Sequence, residues 1–259
     1  MVTPAAPAIE ARSIAKTFGQ VEALREVSLR AHAGAVTCLL GDNGAGKSTL
    51  IKVLSGVFKP DSGHLLVNGS EVSFGSPRQA LDAGVSTVFQ DLATIPLMSI
   101  VRNFFLGREP LLASRLVDWN GAERVTRAAL SDMGIVLRDA SQPVGTLSGG
   151  ERQSLAIARA LHFGASVLIL DEPTSALGVR EVANALRHVQ AVRDKGIAVI
   201  LITHNVSHAY AVGDQFVVLE HGAVRAELAR DQVTSDELQD LMAGGREIER
   251  LLQPRERSD

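Results

Sequence analysis

The chain has 259 residues and a single cysteine, Cys38, so it can form no internal disulfide and has no companions for a zinc site. Cys38 lies in the apolar run at 35–40 and is expected to act as a small core hydrophobe. No long basic tract is present and the net charge is −3. That weakens the case for a nucleic-acid partner, because phosphate-backbone binding draws on clustered Lys and Arg. No apolar stretch approaches the roughly 18 residues that cross a bilayer. The longest, at 166–170 and 197–203, have the length of strands. Residues 1–10 are rich in Ala and Pro and show no basic residue ahead of an apolar core, so they do not read as a secretory signal but as a frayed leader. The expectation is a soluble chain whose membrane role comes through a partner. No internal repeat of the solenoid type is visible.

What is present is apolar and well mixed. Hydrophobic residues make up 46% and charged residues 21%, the balance of a packed globular protein long enough for one domain, or a domain with a lobe. Short β-rich runs alternate with helical patterns, which predicts an α/β domain with a mainly parallel sheet. The runs at 35–40, 167–170 and 197–202 read as buried central strands. Each ends in polar residues: the loop from Gly41, the pair Asp171-Glu172, and Thr203-His204. Ligands of open α/β sheets bind beyond the carboxyl ends of strands, so three strand ends are expected to meet at one crevice. Residues 9–30 and 63–72 read as an antiparallel side sheet, with a hairpin signal at Val67-Asn68-Gly69-Ser70. From about residue 96 to 146 the pattern turns helical. One helix is expected to start at Asn120, with Glu123 closing a capping box and Val125, Ala129 and Met133 on one face. This region is expected to be a helical lobe inserted into the core.

Gly41-Asp42-Asn43-Gly44-Ala45-Gly46-Lys47-Ser48 fits the phosphate-loop pattern, following a strand and preceding the helical stretch from Thr49. Its glycines let backbone N–H groups surround phosphates, and the next helix adds the positive end of its dipole. Lys47 is expected to neutralise the β- and γ-phosphates and the Ser48 hydroxyl to ligate Mg²⁺. Asp171 is assigned to the metal's hydration shell, and Glu172 to orienting and deprotonating the attacking water. Two such acids alone could merely cap a buried strand; beside a phosphate loop they acquire chemistry.

With Leu147-Ser148-Gly149-Gly150-Glu151 added, the chain resembles the ATP-binding cassette (ABC) ATPases over about residues 8–243. The resemblance implies a P-loop NTPase fold with a RecA-like core sheet, an antiparallel β side sheet and an inserted helical lobe. Residues 8–95 and 164–243 would form the core with its side sheet, residues 96–163 the lobe with the signature segment, and 1–7 and 244–259 terminal extensions. It implies ATP and Mg²⁺ as cofactors. Phe18 matches the aromatic that stacks on adenine, Gln90 the glutamine that touches Mg²⁺ and faces the transporter, and His204 the histidine that contacts the γ-phosphate. The nucleotide would thus be held by Phe18, by Gly41, Asp42, Asn43, Gly44, Ala45, Gly46, Lys47, Ser48 and Thr49, by Gln90, and by Ser148, Gly149 and Gly150 of a second copy. Ser48, Gln90 and Asp171 would hold the metal; Glu172, His204 and Lys47 would carry catalysis. One departure stands out. Where the family usually reads Ser-Ala-Leu-Asp, this chain has Ser175-Ala176-Leu177-Gly178, at a turn through which the two halves of the dimer communicate. Glycine there is expected to give the turn backbone freedom.

The segments Phe74-Gly75-Ser76-Pro77, Ala83-Gly84-Val85-Ser86-Thr87-Val88-Phe89-Gln90-Asp91-Leu92 and Asn103-Phe104-Phe105-Leu106-Gly107-Arg108-Glu109 are similar to bacterial sugar-uptake cassettes of the ribose, xylose and fructose type. Some fructose-type members share the Ala176-Leu177-Gly178-Val179 turn. The resemblance implies an ATP-hydrolysing subunit that powers sugar import from the cytoplasmic face of the cell membrane. It would work as two copies with transmembrane permease subunits and, indirectly, an extracytoplasmic sugar-binding protein, and without nucleic acid. Leu97 and Met98 are expected to line a groove for a permease helix. A cassette serving nucleosides or another small solute remains an alternative, since solute choice resides in the permease and binding protein. DNA-repair cassettes carry long coiled coils between the two motifs, and no heptad repeat occurs here; translation-associated ones typically carry two cassettes.

Overall fold

The computed structural model describes residues 6–137, 139–175 and 177–242. Half of the expected frayed leader (residues 1–5), Ala176 of the turn and the expected extension at 244–259 lie outside the described residues, and the end of that leader, Ile9 and Glu10, is not frayed but buried at the start of the first strand. Strands follow the chain as β1 (Ile9–Phe18), β2 (Val21–Ala31), β3 (Val36–Leu40), β4 (Ser62–Val67), β5 (Ser70–Val72), β6 (Val85–Val88), β7 (Val167–Asp171), β8 (Ala198–Ile202), β9 (Gln215–Glu220) and β10 (Ala223–Ala229). The helices are α1 (Lys47–Leu54), α2 (Pro77–Asp82), α3 (Ile100–Phe105), α4 (Trp119–Ser131), α5 (Gly149–His162), α6 (Val179–Asp194), α7 (Val206–Val212) and α8 (Ser235–Met242).

The central sheet has the order β10-β9-β3-β8-β7-β6, parallel except for the edge strand β10. Its strands β3, β7 and β8 are buried at every position but Asp171 and almost wholly apolar because both faces are covered, and the period of two decides what each side chain meets. Cys38, Leu40, Leu168, Leu170, Val199 and Leu201 join one core with residues of α5, α6 and α7. Leu39, Ile169, Ile200 and Ile202 join another with Ile9, Ile14, Leu24 and Val27 of the side sheet and Leu50 and Leu54 of α1. Each such fully buried side chain contributes about 1.5–3 kcal/mol. Cys38 is the core hydrophobe expected: its Sγ lies 3.6 Å from the Ala209 carbonyl, and burial pushes the thiol well above its usual range.

The side sheet is antiparallel in the order β2-β1-β4-β5. Asn68 (φ 50°) and Gly69 (φ 78°) make its tight turn in the left-handed region, as the Asn-Gly pair predicts. Between β6 and β7, α3, α4 and α5 pack on one another. No helix among the described residues is long and apolar enough to cross a membrane.

The start of α4 differs from the expectation. The cap is Asp118, not Asn120; its carboxylate accepts from Gly121 N at 2.8 Å. Glu123 does not reach back but pairs with Arg127 one turn on, at 2.8 Å. Asp118 prevails because its partner is glycine: a Cβ at 121 would lie 2.3 Å from Asp118 Oδ2. Capping at 118 rotates the buried stripe onto Ala122, Thr126 and Leu130. Val125 and Ala129 flank it half-buried, and Met133 lies just past the helix end. Asp118→Ala should therefore cost about 1 kcal/mol of stability, read as a lower urea midpoint; Asn120→Ala should cost far less.

An apolar cleft of this region is lined by Leu81, Val88, Phe89, Leu92, Leu155 and Phe163. Buried Asn103 accepts from Ile95 N and donates to the carbonyls of Ile95, Met98 and Ser99, tying the loop at 95–99 into a shape that leaves Leu97 91% exposed.

Candidate active site

After β3 the chain turns through Gly41 (φ 147°), Gly44 (φ 85°) and Gly46 (φ 105°) before α1 begins. A Cβ at Gly41 would lie 2.3 Å from the Leu219 carbonyl oxygen and one at Gly46 2.8 Å from that of Ala23, so the fold admits only glycine at both. At Gly44 a Cβ would meet nothing within 4 Å; there only the left-handed backbone asks for glycine. Gly46 caps α1 without a side chain, which leaves the first-turn N–H groups and the helix dipole to an anion. The β9–β10 hairpin braces the loop: Gly222 N donates to Ala45 O at 3.0 Å, and Arg25 N to Gly222 O at 2.6 Å. A cavity of about 370 Å³ opens on Asp42, Asn43, Gly44, Lys47, Ser48 and Thr49. The Lys47 ammonium is largely buried and donates to the carbonyls of Gly41 (2.6 Å) and Asp42 (2.9 Å). Burial lowers its pKa, opposed by the carboxylates of Glu172, Asp42 and Asp171.

The acids arrive on the second strand over. β8 lies between β3 and β7, and Asp171 sits opposite Ile202 in the β7–β8 register. Asp171-Glu172 and Thr203-His204 therefore leave the sheet side by side, next to the loop that follows β3. Glu172 has a φ of 48°, a left-handed conformation that costs a residue with a side chain about 1–3 kcal/mol. It is held there by its N–H donating to Ile202 O at 3.0 Å. The two carboxylate oxygens differ. Oε1 accepts from His204 Nδ1 at 2.9 Å, whereas Oε2 is buried with no hydrogen-bond partner among the described residues. Such an oxygen is expensive to leave unpaired and suits a small polar donor. Burial raises the pKa of Asp171, the neighbouring Glu172 charge adds to this, and Lys47 opposes it.

Gln90 follows β6, which pairs with β7 on the side away from β8. Its Nε2 donates to Ser175 Oγ at 3.4 Å, and Ser175 Oγ donates to the Glu172 carbonyl at 3.0 Å. Ser175 is a contact that sequence reasoning missed; its only signal is its place in the turn that follows the acids. His208, whose Nδ1 lies 3.0 Å from Thr174 Oγ1, was missed as well, though it falls one helical turn after His204. Phe18 stands at the end of β1, 42% exposed, with its ring edge-on to Phe58 at 5.2 Å. Ser148 is set apart. It caps α5 in a full capping box, with Glu151 N donating to its Oγ and its own N to Glu151 Oε2 at 2.8 Å. With Gly150 it lines a cavity of about 420 Å³ between the end of α4, α5 and α6, to which no phosphate-loop residue contributes. Gly178 caps α6 with φ −71° and ψ 164°, an extended conformation open to any residue, so backbone freedom is not why glycine stands there. Glu181 Oε2 accepts from Gly178 N at 3.1 Å.

Fold and site together define a P-loop NTPase: an uncapped helix after a glycine-braced loop, with a lysine and two carboxylates beside it. The family model described as ABC transporter matches residues 24–175. The chain is 40% identical to the xylose/arabinose import ATP-binding protein XylG of Sulfolobus acidocaldarius, over 90% of this chain and 93% of that one. It is 39% identical to the fructose import ATP-binding protein FrcA of Rhizobium meliloti, over 93% and 95%. With the ribose import ATP-binding protein RbsA 1 of Streptomyces coelicolor it shares 41% identity over 96% of its own length and 49% of the relative's. The chain belongs to the ABC transporter family, as its motifs lead one to expect. Among solved structures, the ADP conformation of MJ1267, an ATP-binding cassette of an ABC transporter, superposes with a TM-score of 0.79 at 24% identity, covering 96% of this chain and 99% of that one. At that identity the likeness is one of fold.

Proposed function

We propose that this chain is the ATP-hydrolysing subunit of a bacterial sugar importer, bound through permease subunits to the cytoplasmic face of the membrane and served by an extracytoplasmic sugar-binding protein. The observation that carries the reading is the meeting of the phosphate loop, Asp171-Glu172 and His204 at three adjacent strand ends. The printed functions of the similar relatives, import of xylose or arabinose, fructose and ribose, point to sugar as the solute class. Phe18 stacks on adenine, and the loop amides with Lys47 hold the phosphates. Among the described residues no group of three or more His, Cys, Asp or Glu could hold a metal alone. A Mg²⁺ ion bound by Ser48, Asp171 and Gln90, and completed by phosphate oxygens, fits that sparse set of donors and would neutralise phosphate charge.

Hydrolysis follows from the unequal oxygens of Glu172. Oε2 takes a proton from a water whose oxygen bonds to the γ-phosphorus, and the bond from that phosphorus to the bridging oxygen breaks, releasing ADP and phosphate. His204, held by Oε1 through Nδ1, keeps Nε2 for the γ-phosphate. Because Ser148 lines a different cavity from its own phosphate loop, residues 148–150 serve the ATP of a second copy. Closure of the two copies moves the permease, and hydrolysis resets it. Residues 96–163 form the lobe that carries this segment. Ser148→Arg tests the arrangement. The single chain should keep its ATP affinity within about 2-fold, while turnover falls at least about 100-fold. A matching loss of affinity in the monomer would place Ser148 in its own site and refute the sharing.

A further inference from the structure

A side-chain hydrogen bond links the signature helix α5 to α6. Ser154, one turn into α5 and almost fully buried, has its hydroxyl 3.0 Å from the Gly150 carbonyl and 3.1 Å from Nδ1 of His188 on α6. The other ring nitrogen of His188, Nε2, lies 3.0 Å from the carbonyl of Met133, just past the end of α4. A carbonyl only accepts, so Nε2 carries the proton, and in the neutral ring Nδ1 receives the Ser154 hydroxyl proton, which Gly150 shares. Burial lowers the ring's pKa, which favours this neutral form; Arg187 adds to the shift and the bond to Met133 opposes it. Among the described residues, Ser154–His188 is the only side-chain hydrogen bond from α5 to α6.

One imidazole therefore joins the end of α4, the first turns of α5 and the middle of α6. Those are also walls of the cavity on which Ser148 and Gly150 open. α6 in turn is capped by Gly178, a few residues after Glu172 in the chain. A path thus runs from the hydrolytic turn along α6, through His188 and Ser154, to the Gly150 carbonyl within the signature itself.

We propose that His188 is a positioning residue: it sets the placement of residues 148–150 against the ATP held by the other copy. This rests on the shared-site reading above. The geometry matters because a displacement of about 1 Å in a group that contacts the reacting substrate can cost as much as about 100-fold in rate.

Full-length chains carrying Glu172→Gln alone, or with His188→Leu or His188→Gln, are sized with Mg²⁺ and ATP. Their affinity for a fluorescent ATP analogue is measured separately, at concentrations where the chain is monomeric. Glu172→Gln alone should form the closed dimer. Adding His188→Leu should raise the dimer dissociation constant at least about 10-fold and leave the monomer's analogue affinity within about 2-fold. His188→Gln offers an N–H to Met133 and a carbonyl to Ser154, and should restore most of the dimer. Dimerisation of the Leu variant as tight as Glu172→Gln alone would overturn the proposal. So would an equal fall in monomer affinity, which marks general loosening, or a Gln variant no better than Leu. A Glu172→Gln chain that stays monomeric would instead bring down the shared site, and this inference with it.

Discussion

Glu172→Gln should bind ATP as the natural chain does and hydrolyse it at least about 100-fold more slowly, the lower end of what a general base contributes. The side chains have the same shape, and the amide oxygen can still accept from His204 Nδ1, now 2.9 Å from Oε1. What disappears is the second oxygen, buried and without a partner among the described residues, which becomes an NH₂ group unable to take a proton. The loss should fall on kcat, with ATP affinity unchanged, because the base acts on water and not on the nucleotide. Phosphate release under saturating Mg²⁺ and ATP, set beside a nucleotide titration, separates the two quantities. Turnover close to that of the natural chain would mean that Glu172 is not the base, and that its left-handed backbone serves some other end.

Lys47→Ala should lose at least about 100-fold in ATP affinity, equivalent to about 2.7 kcal/mol. Two effects add. The ammonium is the cation that the phosphates would meet, and in the structure it also ties the loop together through the carbonyls of Gly41 and Asp42. Charged hydrogen bonds of this kind are worth about 1.5–3 kcal/mol each. Removing the cation also leaves Asp171 and Glu172 facing the phosphates without a counter-charge. Isothermal titration with ATP reads the effect directly. Retained affinity would show that the loop amides and the α1 dipole suffice and that Lys47 is structural.

Much of the fold was legible because a strand buried on both faces has little choice of residues. β3, β7 and β8 fall within a residue or so of the apolar runs, and Asn68-Gly69 turns where such a pair should. β6 escaped notice: it is four residues long and carries Ser86 and Thr87, so no pattern marks it before β7 supplies its hydrogen bonds. The cap of α4 was misplaced by two residues because Asp118 and Asn120 are both good caps, and only the room above Gly121 separates them. The exposure of Leu97 was not legible, because apolarity says nothing of the four hydrogen bonds by which Asn103 shapes the loop that carries it.

The sequence by itself determined the inventory of chemistry and its order along the chain: a loop for phosphates, two acids at a strand end, a histidine after the next strand, and a capped Ser-Gly-Gly turn. Each is a local pattern, set by residues within a few positions of one another. Only the tertiary structure decided which groups meet. The β7–β8 register puts His204 on one oxygen of Glu172 and leaves the other bare. The packing of α5 on α6 gives Ser148 a cavity separate from its own phosphate loop and lets His188 reach Ser154, 34 residues away. Contacts across such separations depend on how strands align and how helices seat on the sheet, and no local pattern encodes that alignment.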